Sequence, residues 1–243
     1  MNGDLALDLQ RAIEEAAGRT LPEPETHYHK GDVYLNYGLR APEFWKIMKA
    51  FRPRFLALPL DRRLALAEEL LAKQVGELGH AGIHILALSA DDLAPEHFQY
   101  LDRLVDYFRG WSHVDHFCGD VMQPLLRRYP QESILLHRRW NVADNKWRRR
   151  ASVVTFTRKV GESGRFTDQV LALCDGLIWD AEDLVQKGVG WALKDNMRGN
   201  HEKVLAYVKE LRRQGVPSTI TLYAIRDLKG EERASVLAIK KRK

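Results

Sequence analysis

Cysteine is scarce in this 243-residue sequence: only Cys118 and Cys174 occur, each alone in its segment. A disulfide framework or a thiolate zinc site would need several cysteines at characteristic spacings, so the count argues against both. Long apolar runs are also missing. The stretch from Ile83 to Leu88 contains His84 and falls far short of the roughly 20 residues that cross a bilayer. We therefore predict no membrane-spanning helix and two unpaired, buried cysteines.

The first ten residues lack the pattern of a secretory signal. They carry Asp4 and Asp8 and have no basic segment followed by an apolar one. We therefore expect a cytoplasmic protein. Hydrophobic residues make up 45% of the chain, which is enough to bury a sizeable core.

Positive charge is concentrated in one part of the chain. The net charge of +5 is moderate, but the stretch from His137 to Val160 has eight basic residues and one acid, Asp144. Such a concentration is what nucleic-acid binding needs. A solvated helix face with ordinary surface charge is the alternative. The basic residues are Arg138, Arg139, Lys146, Arg148, Arg149, Arg150, Arg158 and Lys159.

Apolar residues recur at spacings of three and four through most of the sequence, and few segments alternate as strands do. The pattern predicts helices almost throughout, joined by short turns, with a loop or the approach to a short helix after Gly18. Asp61 is predicted to cap one helix. The predicted helices are 5–17, 42–51, 62–75, 77–88, 95–108, 112–128, 145–160, 167–174, 180–196, 202–214 and 218–228.

This succession predicts an all-α fold. Helix pairs recurring about every 35 to 45 residues are typical of HEAT-like repeat solenoids, whose concave face could form a basic DNA-binding groove. An irregular helical bundle is the alternative. We predict a single domain over residues 1–243, with a short basic tail over 238–243.

Trp111 and Asp115 are candidate site residues. They are four apart in a segment predicted to be helical, so their side chains share one face about one turn apart. A carboxylate beside an indole can be held near a developing positive charge. A surface or helix-capping role for Asp115, with Ser112, is the plainer alternative.

Two further tryptophans stand in basic segments. Trp147 is three residues before Arg150, and Trp191 follows Gly188 and Gly190 in a predicted helix. Each glycine costs a helix about 1 kcal/mol relative to alanine, so a close backbone approach is expected there. Tight helix packing and contact with a ligand are the two explanations.

These segments together resemble the AlkD-type DNA alkylation repair family, bacterial glycosylases built from HEAT-like repeats. The resemblance extends from about residue 28 to residue 228. The stretches that carry it are Trp111-Ser-His-Val-Asp115, Asp144-Asn-Lys-Trp-Arg-Arg-Arg150-Ala, Gln186-Lys-Gly-Val-Gly-Trp191-Ala-Leu-Lys194 and Gly38-Leu-Arg-Ala-Pro42.

The resemblance implies roles for individual residues. Asp115 matches the family's catalytic aspartate, and Trp111 and Trp191 match the two tryptophans beside the deoxyribose. Arg150, or else Arg149, matches the arginine that holds the DNA backbone. A family tyrosine near the N-terminus has no clean counterpart, because Tyr28 is near the position but His29 fits the ungapped spacing. The remaining predicted DNA contacts are Arg148, Lys146, Trp147, Lys187, Lys194 and His113.

The resemblance also implies a function. The family excises alkylated purines from double-stranded DNA by hydrolysing the N-glycosidic bond, without a cofactor or metal, and acts on the lesion while it stays stacked. We accordingly expect a monomeric DNA glycosylase that initiates base excision repair.

Three alternatives remain at this level. One is a DNA-binding HEAT-repeat protein without catalysis, and another is a protein-interaction scaffold, which would need an exposed apolar groove. The third is a metal enzyme. The pairs His27/His29 and His113/His116 could place imidazoles together, but a third ligand at suitable spacing is not evident.

Overall fold

The computed structural model describes residues 5–25 and 32–240. Within these residues helices predominate, and the sole sheet is an antiparallel hairpin of two-residue strands. The predicted all-α class is therefore confirmed, whereas the solenoid arrangement stays a prediction. Contacts divide the chain into two compact units, Met1–Leu125 and Leu126–Lys243, within the range predicted as one domain. We name them the N-terminal unit and the C-terminal unit.

The N-terminal unit surrounds one buried helix, α4. Nearly every residue in the first half of α4 is buried, and the helix packs against α2, α3, α6 and strand β2. The elements in chain order are α1 (Leu5–Ala17), β1 (Glu23–Pro24), β2 (Leu35–Asn36), α2 (Ala41–Leu56), α3 (Leu60–Ala72), α4 (Gly76–Leu88), α5 (Phe98–Leu104) and α6 (Trp111–Phe117), and α7 (Gln123–Arg128) spans the boundary.

Glycines in α4 allow its neighbours to approach closely. A Cβ atom at Gly79 would lie 2.6 Å from the His113 ring of α6, and one at Gly76 would lie 2.6 Å from the Tyr34 hydroxyl. Real Cβ atoms do not approach other atoms so closely, so a larger residue at either position would displace the side chain that faces it. The two glycines therefore fix how α6 and the segment around Tyr34 sit on α4.

The C-terminal unit is built around α12. Val185, Val189, Ala192 and Leu193 are fully buried at spacings of four, three and one, which is one face of a helix, and α12 packs against α9, α10 and α14. The helices are α8 (Pro130–Asn141), α9 (Lys146–Val154), α10 (Arg158–Glu162), α11 (Thr167–Asp175), α12 (Asp183–Gly199), α13 (His201–Gln214), α14 (Ser218–Ala224) and α15 (Gly230–Leu237).

The helix predicted over 112–128 is interrupted. After α6 the chain forms a π-helical turn at Cys118–Met122 before α7 begins at Gln123. Pro124 supplies the reason, because its ring clashes with the carbonyl four residues earlier and lacks an amide hydrogen. A widened turn removes that conflict.

The helix predicted over 145–160 is also broken, between α9 and α10. Thr155 and Thr157 turn their hydroxyls back to the carbonyls of Ala151 and Val154, at 3.0 and 2.8 Å. Arg158 then takes a positive φ of 54° and donates its backbone N–H to Asp195 Oδ2 at 2.6 Å. Side chains thus replace the helical hydrogen bonds at this point.

Other boundaries differ less. The prediction that Asp61 caps α3 is wrong. The helix starts at Leu60, its N-cap residue is Pro59, and no side chain caps it. Helices α8 and α15 were not predicted, although Pro130 stands in the first turn of α8 as proline often does. No helix within the described ranges combines the length and apolar content that crossing a bilayer requires.

Gly190 packs more tightly than Gly188, which gives a matched pair of substitutions. A Cβ at Gly190 would lie 2.6 Å from Tyr223 Cβ and 2.9 Å from the Ile220 carbonyl oxygen, whereas one at Gly188 would meet its nearest neighbours at 3.3 to 3.5 Å. We expect Gly190→Ala to lower the free energy of unfolding by about 1–2 kcal/mol, because overpacking outweighs the gain in helix propensity.

For Gly188→Ala we expect a change within about 0.5 kcal/mol, because side chains alone must yield and alanine favours the helix. Urea unfolding followed by circular dichroism measures both. A larger loss for Gly188→Ala than for Gly190→Ala would contradict this account of the packing.

Candidate active site

Helix α6 carries the predicted catalytic aspartate. Trp111 is its first residue and Asp115 lies one turn later on the same side, and both side chains are half-buried. Gly110 is the N-cap in extended backbone, at φ −156° and ψ 160°, with no side-chain cap. The helix-start role considered for Ser112 and Asp115 is therefore not what the structure shows. The helix places a carboxylate and an indole at a partly open surface.

Ser112 joins α6 to its neighbours. Its Oγ lies 3.4 Å from the Tyr34 hydroxyl and 3.3 Å from His80 Nε2. Burial raises the pKa of Tyr34 to about 12, so the phenol keeps its proton and can donate to Ser112. Ser112 can in turn donate to His80, which makes the three side chains a connected set.

The connection continues through a second histidine. His80 Nδ1 lies 3.1 Å from His116 Nδ1, and the two rings stack with their centroids 5.3 Å apart. His116 Nε2 lies 3.4 Å from Asp120 Oδ2 in the π-helical turn. Two nitrogens at this distance share one proton, since one ring must donate and the other accept.

His113 was predicted to contact DNA, and its placement does not support that role. The side chain is 1% exposed. Its Nε2 donates to the Gly76 carbonyl at 3.0 Å, and its Nδ1 accepts the Arg109 backbone N–H at 3.5 Å. With both nitrogens used inside the unit, His113 holds α6 on α4.

A cavity of about 500 Å³ lies beside this network. Its lining includes Tyr34, Phe44, Trp45 and His80, so two members of the network face it. Trp45 is 44% exposed, which is unusual for so large an apolar side chain, and its ring meets the His84 ring edge-on at 5.2 Å. None of these residues was predicted. The one available sequence signal was the spacing of four between His80 and His84.

Glu77 organises another wall of the cavity. Its carboxylate accepts the backbone N–H of Tyr37 at 3.0 and 3.1 Å, and that of Leu39 at 3.0 Å. The side chain is 8% exposed. These charge-assisted hydrogen bonds hold the segment between β2 and α2 against the start of α4.

Trp191, the second predicted sugar contact, is half-buried on α12 of the C-terminal unit. The Arg158 guanidinium lies over its ring, 5.4 Å from the centroid. Arg158 is itself held by its backbone bond to Asp195, which also pairs with Lys194 at 3.0 Å. The indole therefore stands among cations whose positions are fixed by a buried acid.

Arg149 and Arg150 have structural partners. Arg149 pairs with Asp180 at 2.6 Å and donates to the Ala143 and Asp144 carbonyls at 2.9 and 2.7 Å. Arg150 is 5% exposed and donates to the Leu184 carbonyl at 2.5 Å. The Arg149 guanidinium ties α9 to Asp180, just before α12, and the Arg150 guanidinium ties it to Leu184 within α12. Their placement thus supports a structural role and gives no direct support for contact with DNA.

The other predicted DNA contacts divide by exposure. Trp147 is 6% exposed, with Lys146 Nζ over its ring at 4.9 Å, and it belongs to the core rather than to the surface. Lys146 pairs with Glu182 at 3.6 Å, and Lys187 with Asp183 at 2.6 Å. Such partly exposed ion pairs contribute little stability. Each lysine could therefore leave its acidic partner and bind a DNA phosphate instead. Arg148 is half-buried.

Tyr28, His29 and His27 lie outside the described residues. Across the two described ranges, no three histidine, cysteine or acidic side chains are grouped so that they could hold a metal ion.

The protein family described as DNA alkylation repair enzyme matches residues 9–228. Among curated proteins none matches the chain.

Two solved structures share the fold. One, titled a predicted DNA alkylation repair enzyme from Enterococcus faecalis, has a TM-score of 0.70 at 16% identity and covers 93% of this chain and 96% of its own. The other is the Pseudomonas fluorescens alkylpurine DNA glycosylase AlkC, bound to DNA containing an abasic site analogue. It has a TM-score of 0.58 at 17% identity and covers 98% of this chain and 69% of its own. At such identities the likeness shows the all-helical fold.

Proposed function

Because the chain belongs to the DNA alkylation repair enzyme family, we propose that it is a DNA glycosylase that excises purines alkylated at N3 or N7 from duplex DNA. The observation that carries the proposal is the placement of Asp115, a half-buried carboxylate one helical turn from the Trp111 indole. The AlkC structure, in which an alkylpurine glycosylase of the same fold holds DNA with an abasic site analogue, supports the choice of partner.

The chemistry fits a single carboxylate. Alkylation at N3 or N7 leaves the purine positively charged, so the base departs neutral and needs no general acid. As the N-glycosidic bond breaks, positive charge develops at C1′ of the sugar. Asp115 as an anion and Trp111 through its ring face would stabilise that charge and orient the attacking water.

The finer features of the proposal follow the AlkD-type resemblance. The enzyme would act on a stacked lesion rather than on a base flipped into a pocket, as many glycosylases do. Trp191 would face the sugar as a second indole. The enzyme would be a cytoplasmic monomer with the fold of a HEAT-like solenoid. Substrates with bulky substituents fit such a mechanism, because the base enters no closed pocket.

The test is release of free bases from methylated duplex DNA. Wild-type protein is incubated with DNA that carries radiolabelled methyl groups, and the products are separated by chromatography beside an enzyme-free control. We expect 3-methyladenine or 7-methylguanine to appear well above spontaneous depurination. Salt-sensitive duplex binding without release of any base would instead identify a non-catalytic DNA-binding protein, and absence of both would overturn the proposal.

A further inference from the structure

The side chains around Ser112 form an unbroken line from the cavity to Asp120. Tyr34, Ser112, His80, His116 and Asp120 follow one another at 3.4, 3.3, 3.1 and 3.4 Å. The first three contacts are within hydrogen-bond distance, whereas His116 Nε2 has no hydrogen-bond partner among the described residues and faces the Asp120 carboxylate at an ion-pair distance. Ser112, the second member, lies one turn before Asp115 on the same helix.

One assignment of protons gives the three hydrogen bonds from Tyr34 to His116 a single direction. Tyr34 donates to Ser112, Ser112 donates to His80 Nε2, and His80 Nδ1–H donates to His116 Nδ1. The remaining proton of His116 is on Nε2 and faces the Asp120 carboxylate. In this state both imidazoles are neutral, and the last one is placed to become a cation beside an acid.

We propose that Ser112, His80 and His116 form a relay that removes the proton released when water adds to C1′. The inference rests on the proposed glycosylase function. The water oxygen bonds to C1′, and the C1′–N bond breaks with its electron pair passing to the base, which leaves neutral. The added water then carries one proton too many, and that proton must have an acceptor.

The relay supplies the acceptor without using Asp115. Ser112 lies three residues before Asp115 on α6, which makes the two side chains neighbours on the helix surface. The proton passes to Ser112 Oγ as the serine gives its own to His80 Nε2, and His80 passes its Nδ1 proton to His116. The charge ends on His116, next to Asp120, and Asp115 stays anionic opposite the sugar.

His80 and His116 touch no reacting atom and act through Ser112, so they are positioning residues for the proton. The neighbouring histidine, His84, does not take up the proton. Burial lowers the pKa of His84 to about 4, so this histidine stays neutral. The titratable and charged groups that line the cavity beside His80 or lie near the pair are Glu25, Tyr34, Arg40, Arg52, Glu77, His84, His113, Asp115 and Asp120.

The test is the pH dependence of excision. Single-turnover release of 3-methyladenine is measured between about pH 5 and 8, where histidine titrates, and spontaneous loss is subtracted. We expect the wild-type rate to fall as the pH is lowered, because a protonated relay cannot accept. His116→Gln and His80→Gln should be about tenfold slower at pH 8, less than the loss of a direct acid or base, and should lose the pH dependence.

His84→Gln is the matched control, since His84 contacts the same Trp45 ring as His116 but has no place in the line. It should keep the wild-type profile, and all variants should bind abasic-site duplex like the wild type. An active wild type whose pH profile survives His116→Gln would overturn the relay alone. A wild type that releases no base would overturn the proposed function and the relay with it.

Nitrogen-15 NMR of the imidazoles gives a readout that does not depend on activity. The relay requires the neutral tautomer with the proton on Nδ1 in His80 and on Nε2 in His116. A His80 ring protonated on Nε2 would reverse the direction of donation and overturn the inference, even for an active enzyme.

Discussion

Asp115→Asn is expected to slow single-turnover excision of 3-methyladenine by about 100-fold to 1,000-fold, while binding to abasic-site duplex changes little. The substitution preserves the shape of the side chain but removes its negative charge. Asp115 is half-buried on α6, so water screens its charge less than it would at an exposed surface. The charge therefore has a large effect on a developing cation. Rates with enzyme in excess over DNA measure the step directly.

Asp61→Asn is a matched control for this experiment. Asp61 is an exposed carboxylate in the first turn of α3, in the same unit, and its loss should leave excision unchanged. Trp111→Phe should fall between the two variants, because it keeps an aromatic face of lower electron density than indole. Wild-type rates for Asp115→Asn would remove the aspartate from the mechanism.

Much of the secondary structure could be predicted from periodicity. Helix α1 has the predicted bounds, and α13 differs from its prediction by one residue at its start. Both are amphipathic helices that end at a glycine with positive φ, Gly18 and Gly215, which is a local signal. The position of Asp115 on a helix with Trp111 was also predictable, because it depends only on a spacing of four.

The interruptions within helices were not predictable from periodicity. The end of α9 depends on Asp195, 37 residues from Arg158, which accepts its backbone N–H. The π-helical turn before Pro124 keeps its buried residues on one side, so the apolar pattern continues through it. Local propensity carries no information about partners that are distant in sequence.

The partners of the basic residues between His137 and Val160 could not be predicted from the sequence either. Counting charges between His137 and Val160 suggested a DNA-binding surface, but Arg149 is paired with Asp180 and Arg150 with a carbonyl of α12. Asp180 and Leu184, which engage them, lie 31 and 34 residues later in the sequence. The histidine line was missed for the same reason, because His80 and His116 come together only when α4 packs on α6.

Glu77→Ala is expected to lower the free energy of unfolding by about 3 kcal/mol. The buried carboxylate accepts two backbone N–H groups, from Tyr37 and Leu39, and alanine would leave both without that acceptor. Each orphaned amide costs about 1–3 kcal/mol, and hydrogen bonds to a charged acceptor are at the stronger end of the scale. Urea unfolding of the full chain measures the loss.

The comparison with Glu43→Ala isolates the effect of burial. Glu43 is paired with Arg40 at 2.6 Å, but the arginine is 81% exposed, and such solvent-screened pairs contribute little to stability. Glu77→Gln should lie between the two, since its amide oxygen still accepts one N–H. The segment held by Glu77 also borders the cavity beside His80, so we expect Glu77→Ala to slow excision even at temperatures where it remains folded. Equal unfolding free energies for Glu77→Ala and Glu43→Ala would show that the segment between β2 and α2 is held by other contacts.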